Sequence, residues 1–341
     1  MEKRRKQMTR KRTWGLGVIA LVIMSLAFAI YPARGAAPKN SFPERNKTIT
    51  VVVPYNAGGN TDIAARAVAP LLEKEFGIPV QVLNKPGAGG QVGITQITQA
   101  KPDGYTLGIV GLPAVNGIYL DPERKALFSR ASFQPLALQA HHPGLLAVRA
   151  NSPYKTVQDV IAAAKANPEK LIANTTGILG DDHLAVLQFQ ALTGARFAIV
   201  HFDGTAPATT AFLGGHIDLY VGNLADLLSH LKAGAVRILG IADKVESSFY
   251  PGVKTLEAQG IPLYASSDLG VVMPAGASKE VVDILGTALE KACKSEAHVK
   301  KIESMGIPAK CEGPVGFARV WGEMDAWAKP HIEAEKAKAK K

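Results

Sequence analysis

The stretch Tyr55-Asn56-Ala57-Gly58-Gly59-Asn60-Thr61-Asp62 concentrates small residues and hydrogen-bonding side chains between two apolar patterns. Before it stands the β-branched run Ile49 to Val53, closed by Pro54, which has no N–H to continue a ladder. After it, Ile63, Ala67, Val68, Leu71, Leu72 and Phe76 recur at helical spacing, and Gly77-Ile78-Pro79 ends the pattern. A strand, a glycine loop and a helix start together present uncovered backbone N–H groups and a positive dipole end, an arrangement suited to an anion. A tight strand-to-helix turn with no ligand is the plain alternative. A second loop of the same kind, Asn84-Lys85-Pro86-Gly87-Ala88-Gly89-Gly90, follows the short strand Val80 to Leu83 and precedes a helix-like stretch, Val92 to Ala100. Lys101-Pro102-Asp103-Gly104 then turns into the strand Tyr105 to Val110. Val92 stands where the third glycine of a dinucleotide fingerprint belongs, so the loops point to a crevice at strand C-termini without that fingerprint.

Asp62 can cap its helix, orient the loop or accept from a ligand hydroxyl, and capping is the first choice; Asn60 or Thr61 can serve as the cap as well. Arg66, one turn into the helix, is expected in a salt bridge on the helix face. Asp181, Asp182 and His183, with His201 and His216 elsewhere, offer a metal or acid–base cluster. No two of them stand at the i, i+4 spacing of a helical zinc site, which favours Asp181 or Asp182 as a helix cap and His183 as a pocket-facing or supporting group. The neighbours His141 and His142 would point apart on a strand, so a surface turn is expected there. There is no G-x-S-x-G elbow, P-loop or C-x-x-C. No catalytic residue, metal or cofactor is therefore expected, and Trp321 and Trp327 are expected to be packing residues.

The elements that must position these loops need room, and 341 residues suffice for two domains of ordinary size. A net charge of +10 suggests nucleic acid until it is located: residues 1–35 hold eight basic side chains against Glu2, leaving only +3 for the rest. That basic start, the apolar run Trp14 to Tyr31 and Ala33-Arg34-Gly35 before Ala36 form a secretory signal peptide over residues 1–35. Export follows, with an uncleaved anchor as the alternative because the run is long. No cysteine near the cleavage site speaks for a lipoprotein, and no later stretch is long and apolar enough to cross a membrane. Cys293 and Cys311 are an even pair in an oxidising compartment, either a disulfide or two buried thiols.

Along the mature chain the alternation of strand, glycine loop and helix predicts an α/β fold with largely parallel sheets. Asn116 to Arg130 predicts no element, and the apolar runs Phe133 to Ala140 and Leu145 to Val148 flank a turn at His141-His142-Pro143-Gly144, where the chain crosses domains. Thr156-Val157-Gln158-Asp159 has the capping-box pattern for a helix to Ala166. Strands at Leu171 to Asn174, Phe197 to Phe202, Ile217 to Val221 and Val236 to Ala242 follow, with the loops Thr175-Thr176-Gly177, Asp203-Gly204 and Gly222-Asn223 each leading a helix. Leu269 to Met273 is the return crossing, Ser278 to Ala297 and Val299 to Met305 are helices, and Phe317 to Lys341 is a helical tail interrupted at Pro330 and frayed from Glu335. The result is a hinged pair of lobes, lobe 1 from 46–143 with 252–341 and lobe 2 from 144–251, joined by two crossovers with the loops facing a cleft.

VPYNAGGNTDIAAR, NKPGAGG and KPDGYTLGIV in this order resemble the periplasmic substrate-binding receptors of tripartite tricarboxylate transporters, the Bug-type family. The likeness continues through Asp181-Asp182-His183-Leu184-Ala185, Phe202 to Pro207 and Leu213 to Asp218, and covers about Ile49 to Trp321. It implies a two-lobed periplasmic-binding-protein type II fold and a monomeric solute receptor for a di- or tricarboxylate or an aromatic acid. Its partners would be membrane transporter subunits, with no nucleic acid. The same fold would also suit a ligand sensor for a membrane signalling protein, or a secreted enzyme. Carried over from the family, ligand contacts fall on Tyr55, Asn56, Ala57, Gly58, Gly59, Asn60, Thr61 and Asp62, with Thr175, Thr176, Asp203, Gly204 and Asn223 opposite. Gly89, Gly90, Gly177 and His183 complete the candidate set. Tyr55-Asn56 stands where many relatives have Phe-Pro, and Phe202-Asp203-Gly204 where many have Pro-Tyr-Lys-Gly. The missing lysine and the acidic Asp203 count against carboxylate contact at that loop, and leave the far end as open to an aromatic or hydroxylated acid as to citrate.

Overall fold

Apolar β-branched runs become central strands in the computed structural model, which describes residues 42–202 and 204–339. The expected signal peptide and Asp203 lie outside the described residues. Strand β1 (Ile49–Val53) pairs in parallel with β2 (Val80–Asn84) and β3 (Thr106–Leu112). One face of this sheet is covered by helices α1 (Asn60–Phe76) and α8 (Lys279–Cys293), which set Val68, Leu72, Leu285 and Leu289 against Val51, Val53 and Leu107. The other face receives Ile94 and Ile97 of helix α2 (Gln91–Gln99), with Phe317 and Trp321 of the C-terminal helix, against Val52 and Val110. Burial on both faces is why β1 and β3 read as unbroken apolar runs.

Strand β4 (Phe133–Arg149) is one continuous element of 17 residues, not two runs around a turn. Its first part pairs antiparallel with β9 (Ser266–Pro274), from Phe133 opposite Pro274 to Pro143 opposite Ser266. Its second part, from Gly144, pairs antiparallel with both β7 (Tyr220–Asn223) and β8 (Val236–Ala242). β4 therefore carries the chain from one group of strands to the next, and β9 runs beside it on the way back. The expected surface turn at His141-His142-Pro143-Gly144 is corrected: His142 is only 2% exposed, and its Nε2 accepts from the Ala225 N–H at 2.9 Å. Pro143 removes one donor, and the ladder resumes with the Gly144 N–H on Ala265 O at 2.8 Å. Histidine hides such a strand from a hydrophobicity pattern because its burial depends on a distant partner.

Beyond β4, β5 (Ile172–Thr175) and β6 (Ala198–His201) pair in parallel, and Ala173 bridges Leu219 just before β7. Helix α4 (Val157–Ala166) starts on the capping box read from sequence: Thr156 accepts from the Asp159 N–H at 3.1 Å and Asp159 from the Thr156 N–H at 2.9 Å. Helices α5 (Asp181–Thr193) and α6 (Thr205–Leu213) place Phe189 in one core with Val148 and Leu219, and Phe212 in another with Leu145 and Tyr220. The short α7 (Leu228–Lys232) precedes β8.

Three expectations need correction. Helix α3 (Ala114–Leu120) forms inside the stretch thought irregular, because Val115 and Ile118 reach the core beside Leu112. The helix expected to run to Ala297 stops at Cys293, and Ser295 starts α9 (Glu296–Glu303) by accepting from the His298 N–H. The tail is neither interrupted at Pro330 nor frayed at Glu335: α10 (Pro314–Ala339) runs through both, and Lys336 reaches Asp121 at 3.1 Å and Glu123 at 2.8 Å. Further along α10, Ala328 and Ile332 pack with Leu179, Leu184 and Leu187. Strand β10 (Ala309–Glu312), with no sequence signal of its own, pairs with β4, and the Cys293–Cys311 disulfide ties it to the end of α8.

Candidate functional site

The loop after β1 is built around the Asp62 carboxylate. Oδ2 accepts from the Gly58 N–H at 2.9 Å and from Arg66 Nε at 2.9 Å, and Oδ1 accepts from Asn84 Nδ2 at 2.9 Å. Asn84 Nδ2 also donates to Tyr55 O at 3.1 Å, so the end of β2 holds both ends of the loop. Asp62 is 3% exposed; burial alone would raise its pKa, but the bonds from Arg66, Gly58 and Asn84 hold it down to about 2. The expected cap therefore belongs to none of Asn60, Thr61 and Asp62. Gly59 is the N-cap residue, with no side-chain capping bond, and Asp62 orients the loop instead. Arg66 is in the salt bridge expected of it. Asn56, Ala57, Gly58 and Gly59 are exposed, with Asn60 and Thr61 half-buried at the helix start. Gly58 has φ +88, a backbone shape that calls for glycine, although a Cβ there would meet nothing within 4 Å. Gly90 is buried behind Tyr55, whose ring a Cβ would meet at 3.1 Å, while Gly89 is exposed beside the Arg124 guanidinium.

The opposite loops follow β5, β6 and β7. Thr175 is buried, its hydroxyl 2.6 Å from His201 Nδ1. The Thr176 N–H donates to Asp182 Oδ2, and Asp182 Oδ1 accepts from the His183 N–H at 2.8 Å. Gly180 is the N-cap of α5, so neither Asp181 nor Asp182 caps it from outside. His183, expected as a pocket-facing or supporting group, is 3% exposed; its Nδ1 accepts from the Leu179 N–H at 3.0 Å and its ring stands edge-on to His201. It holds the loop from behind. Gly177 and Gly204 each have open space where a Cβ would stand. Asn223 donates from Nδ2 to His142 O at 3.2 Å, and its N–H donates to Asp226 Oδ2 at 2.8 Å. Among the described residues no group of three His, Cys, Asp or Glu is placed to hold a metal ion.

The charge of Asp181 acts on Tyr55, which links the two sets of loops electrostatically. Burial first, then the Asp181 charge, pushes the Tyr55 phenol up to about 12, with Arg124 acting the other way. Burial pushes the Asp181 carboxyl up to about 6; the Asn223 amide and helix N–H groups oppose this, and Asp268 adds to it. Asp226 is raised to about 7, mainly by burial, and Asp182 is raised by burial and by Asp181. At the β4–β9 crossing, His141 Nδ1 lies 2.5 Å from Asp268 and Nε2 3.0 Å from Asp243. Burial would lower its pKa, but the two carboxylates raise it to about 9. Arg124 and Asp226 were missed from sequence, while Asn84 was read only as part of the second glycine loop and His141 only as part of a surface turn. Of the two missed, Asp226 left a signal, three residues after Asn223 as in a capping box.

A family profile described as "Tripartite tricarboxylate transporter family receptor" matches residues 64–321. A Cupriavidus necator protein, "UPF0065 protein in gbd 5'region", is 34% identical over 279 residues, 80% of this chain and 82% of its own. BugT of Bordetella pertussis is 29% identical over 301 residues, 86% of this chain and 91% of its own. Among solved structures, MatC from Rhodopseudomonas palustris with bound malate has a TM-score of 0.74 at 26% identity, covering 85% of this chain and 100% of that one. An R. palustris protein with adipate has a TM-score of 0.72 at 25% identity, covering 84% of this chain and 98% of that one. The fold is that of the periplasmic binding proteins, as the resemblance implied. By the extent of the profile match and by these relatives, the chain belongs to the tripartite tricarboxylate transporter receptor family, the Bug-type periplasmic solute-binding proteins.

Proposed function

We propose that the chain captures a small organic carboxylate in the periplasm and delivers it, unchanged and as a monomer, to the membrane subunits of a tripartite tricarboxylate transporter. The observation that supports this most is the family membership, together with the malate and adipate held by two relatives of the same fold. The ligand would lie between the loop 55–62 with Gly89 and Gly90 on one lobe and Thr176, Gly177, Asp203, Gly204 and Asn223 on the other. Backbone N–H groups at the starts of α1 and α6, where no side chain caps the helix, suit a carboxylate, whereas those of α5 are taken by Asp181 and Asp182. The lobes would be 46–143 with 252–341, and 144–251. They would hinge where β4 and β9 run side by side, at His141 to Pro143 and Ser266 to Asp268.

A thermal-shift screen of the exported protein over di- and tricarboxylates, hydroxy acids and aromatic acids tests this. A true ligand stabilises the fold by RT ln(1 + [L]/Kd), about 2.7 kcal/mol at a hundredfold excess over Kd. A full panel without a shift would refute carboxylate capture.

A further inference from the structure

Leu179, in the loop after β5, has a left-handed backbone, φ +61, a conformation unfavourable for leucine. Gly177 and Gly180 stand close by, yet the left-handed position carries a leucine, and it is buried while Ile178 beside it is exposed. Its side chain fills a seat made by distant parts of the chain. Leu179 packs with Leu184 and Leu187 of α5 against Ala328 and Ile332 of α10, with Leu120 of α3 alongside. Its carbonyl abuts α3, where a Cβ on Gly117 would stand only 2.6 Å from Leu179 O. The seat is braced from behind: Asp325 of α10 accepts from Asn116 Nδ2 of α3 at 2.8 Å and from the Tyr119 hydroxyl. Lys336 ties the end of α10 to Asp121 and Glu123, just past α3. Trp327 Nε1 donates to Gln188 Oε1 at 3.1 Å, a further contact between α10 and α5. On its other side the loop is held to α5 by the Leu179 N–H on His183 Nδ1 and the Thr176 N–H on Asp182 Oδ2.

We propose that Leu179 is a positioning residue for the ligand: seated between α3 and α10, it fixes the loop that carries Thr176 and Gly177 where these residues meet the bound acid. α3 and α10 belong to the proposed lobe 1, and the loop with α5 to lobe 2, so the seat is filled only when the lobes are together. An unfavourable backbone conformation persists where its surroundings over-determine it, and here the far half of those surroundings is the other lobe. When the lobes part, Leu179 leaves the seat and the loop is free to relax. Lobe closure and the shape of the ligand loop are thereby one event. The inference rests on the receptor function and the lobes proposed above, and adds the residue that couples them.

Titration calorimetry and hydrogen–deuterium exchange on the purified protein test it, with malate, adipate and the acid of the carboxylate panel that gives the largest thermal shift. Leu179→Gly empties the seat while relieving the backbone, and Gly117→Ala favours α3 as a helix but forces Leu179 O away. Circular dichroism melts confirm that both fold. In both, affinity should fall at least tenfold, and with the acid saturating, the amides of residues 176–180 should exchange at least tenfold faster than in the wild type. Leu179→Met, which refills the seat, should keep affinity within threefold. A role in core packing alone would lower the melting temperature and leave affinity, measured well below it, unmoved. Affinity within threefold of wild type in both folded variants, or loop exchange unmoved in both, would overturn the inference and leave the receptor function standing. If no acid of the panel binds the wild type, the receptor function itself fails and the inference falls with it.

Discussion

At the scale of single residues, two side chains have roles their neighbours in sequence do not reveal. Asp62 reads as a helix cap because acidic residues favour a first turn, yet its partners are Gly58 behind it, Arg66 ahead and Asn84 on the next strand. The Arg66 bond was legible from helical spacing, whereas the Asn84 bond depends on the pairing of β1 with β2. Asp62→Ala should cost about 2–3 kcal/mol in urea unfolding, the scale for losing hydrogen bonds to a buried charge, and should weaken ligand binding. Unchanged stability would show that the loop does not depend on this carboxylate. His141 offers a pH test. Its folded pKa, raised to about 9, lies above its ordinary 6.5, so its contribution is fully present below about 6.5 and is lost as pH rises through about 9. Melting temperature should therefore fall between pH 7 and 9.5, and His141→Asn should flatten that part of the profile. An equally steep fall in the variant would remove His141 as the cause.

At the scale of elements, strands buried on both faces and helices with a true cap declared themselves. β1 and β8 lie where their apolar runs predicted, and the Thr156–Asp159 box formed as read. Elements stabilised by distant partners did not: β4 passes through two histidines because Ala225 and Asp268 satisfy them, and β10 exists because β4 and Cys293 hold it. The disulfide spans a sequence separation of 18, and changing both cysteines to alanine should lower stability by about 3 kcal/mol by the chain-entropy account. Denaturant titration checks this, and an unchanged midpoint would show that the bond is not a structural tie. For the loop after β5, Gly177→Val is the informative change, because the side chain would enter open space without displacing protein atoms. Ligand affinity should drop at least tenfold, about 1.4 kcal/mol or more, while the unliganded melting temperature stays put. Undiminished affinity would place Gly177 outside the contact surface.

At the scale of the whole molecule, the family and the two-lobed class were legible because three loop motifs in fixed order carry them. The electrostatic coupling of Asp181 with Asp226 was not, since it arises only when α5 packs beside the end of β7. The central claim is that this chain binds a small carboxylate reversibly and leaves it intact. Equilibrium dialysis of the purified protein against a hit from the carboxylate screen, followed by mass spectrometry of the recovered compound, measures this directly. One molecule bound per chain, saturably, with the recovered mass unchanged after prolonged incubation, is the predicted result. No saturable binding of any screened acid, or recovery of a chemically altered product, would contradict it.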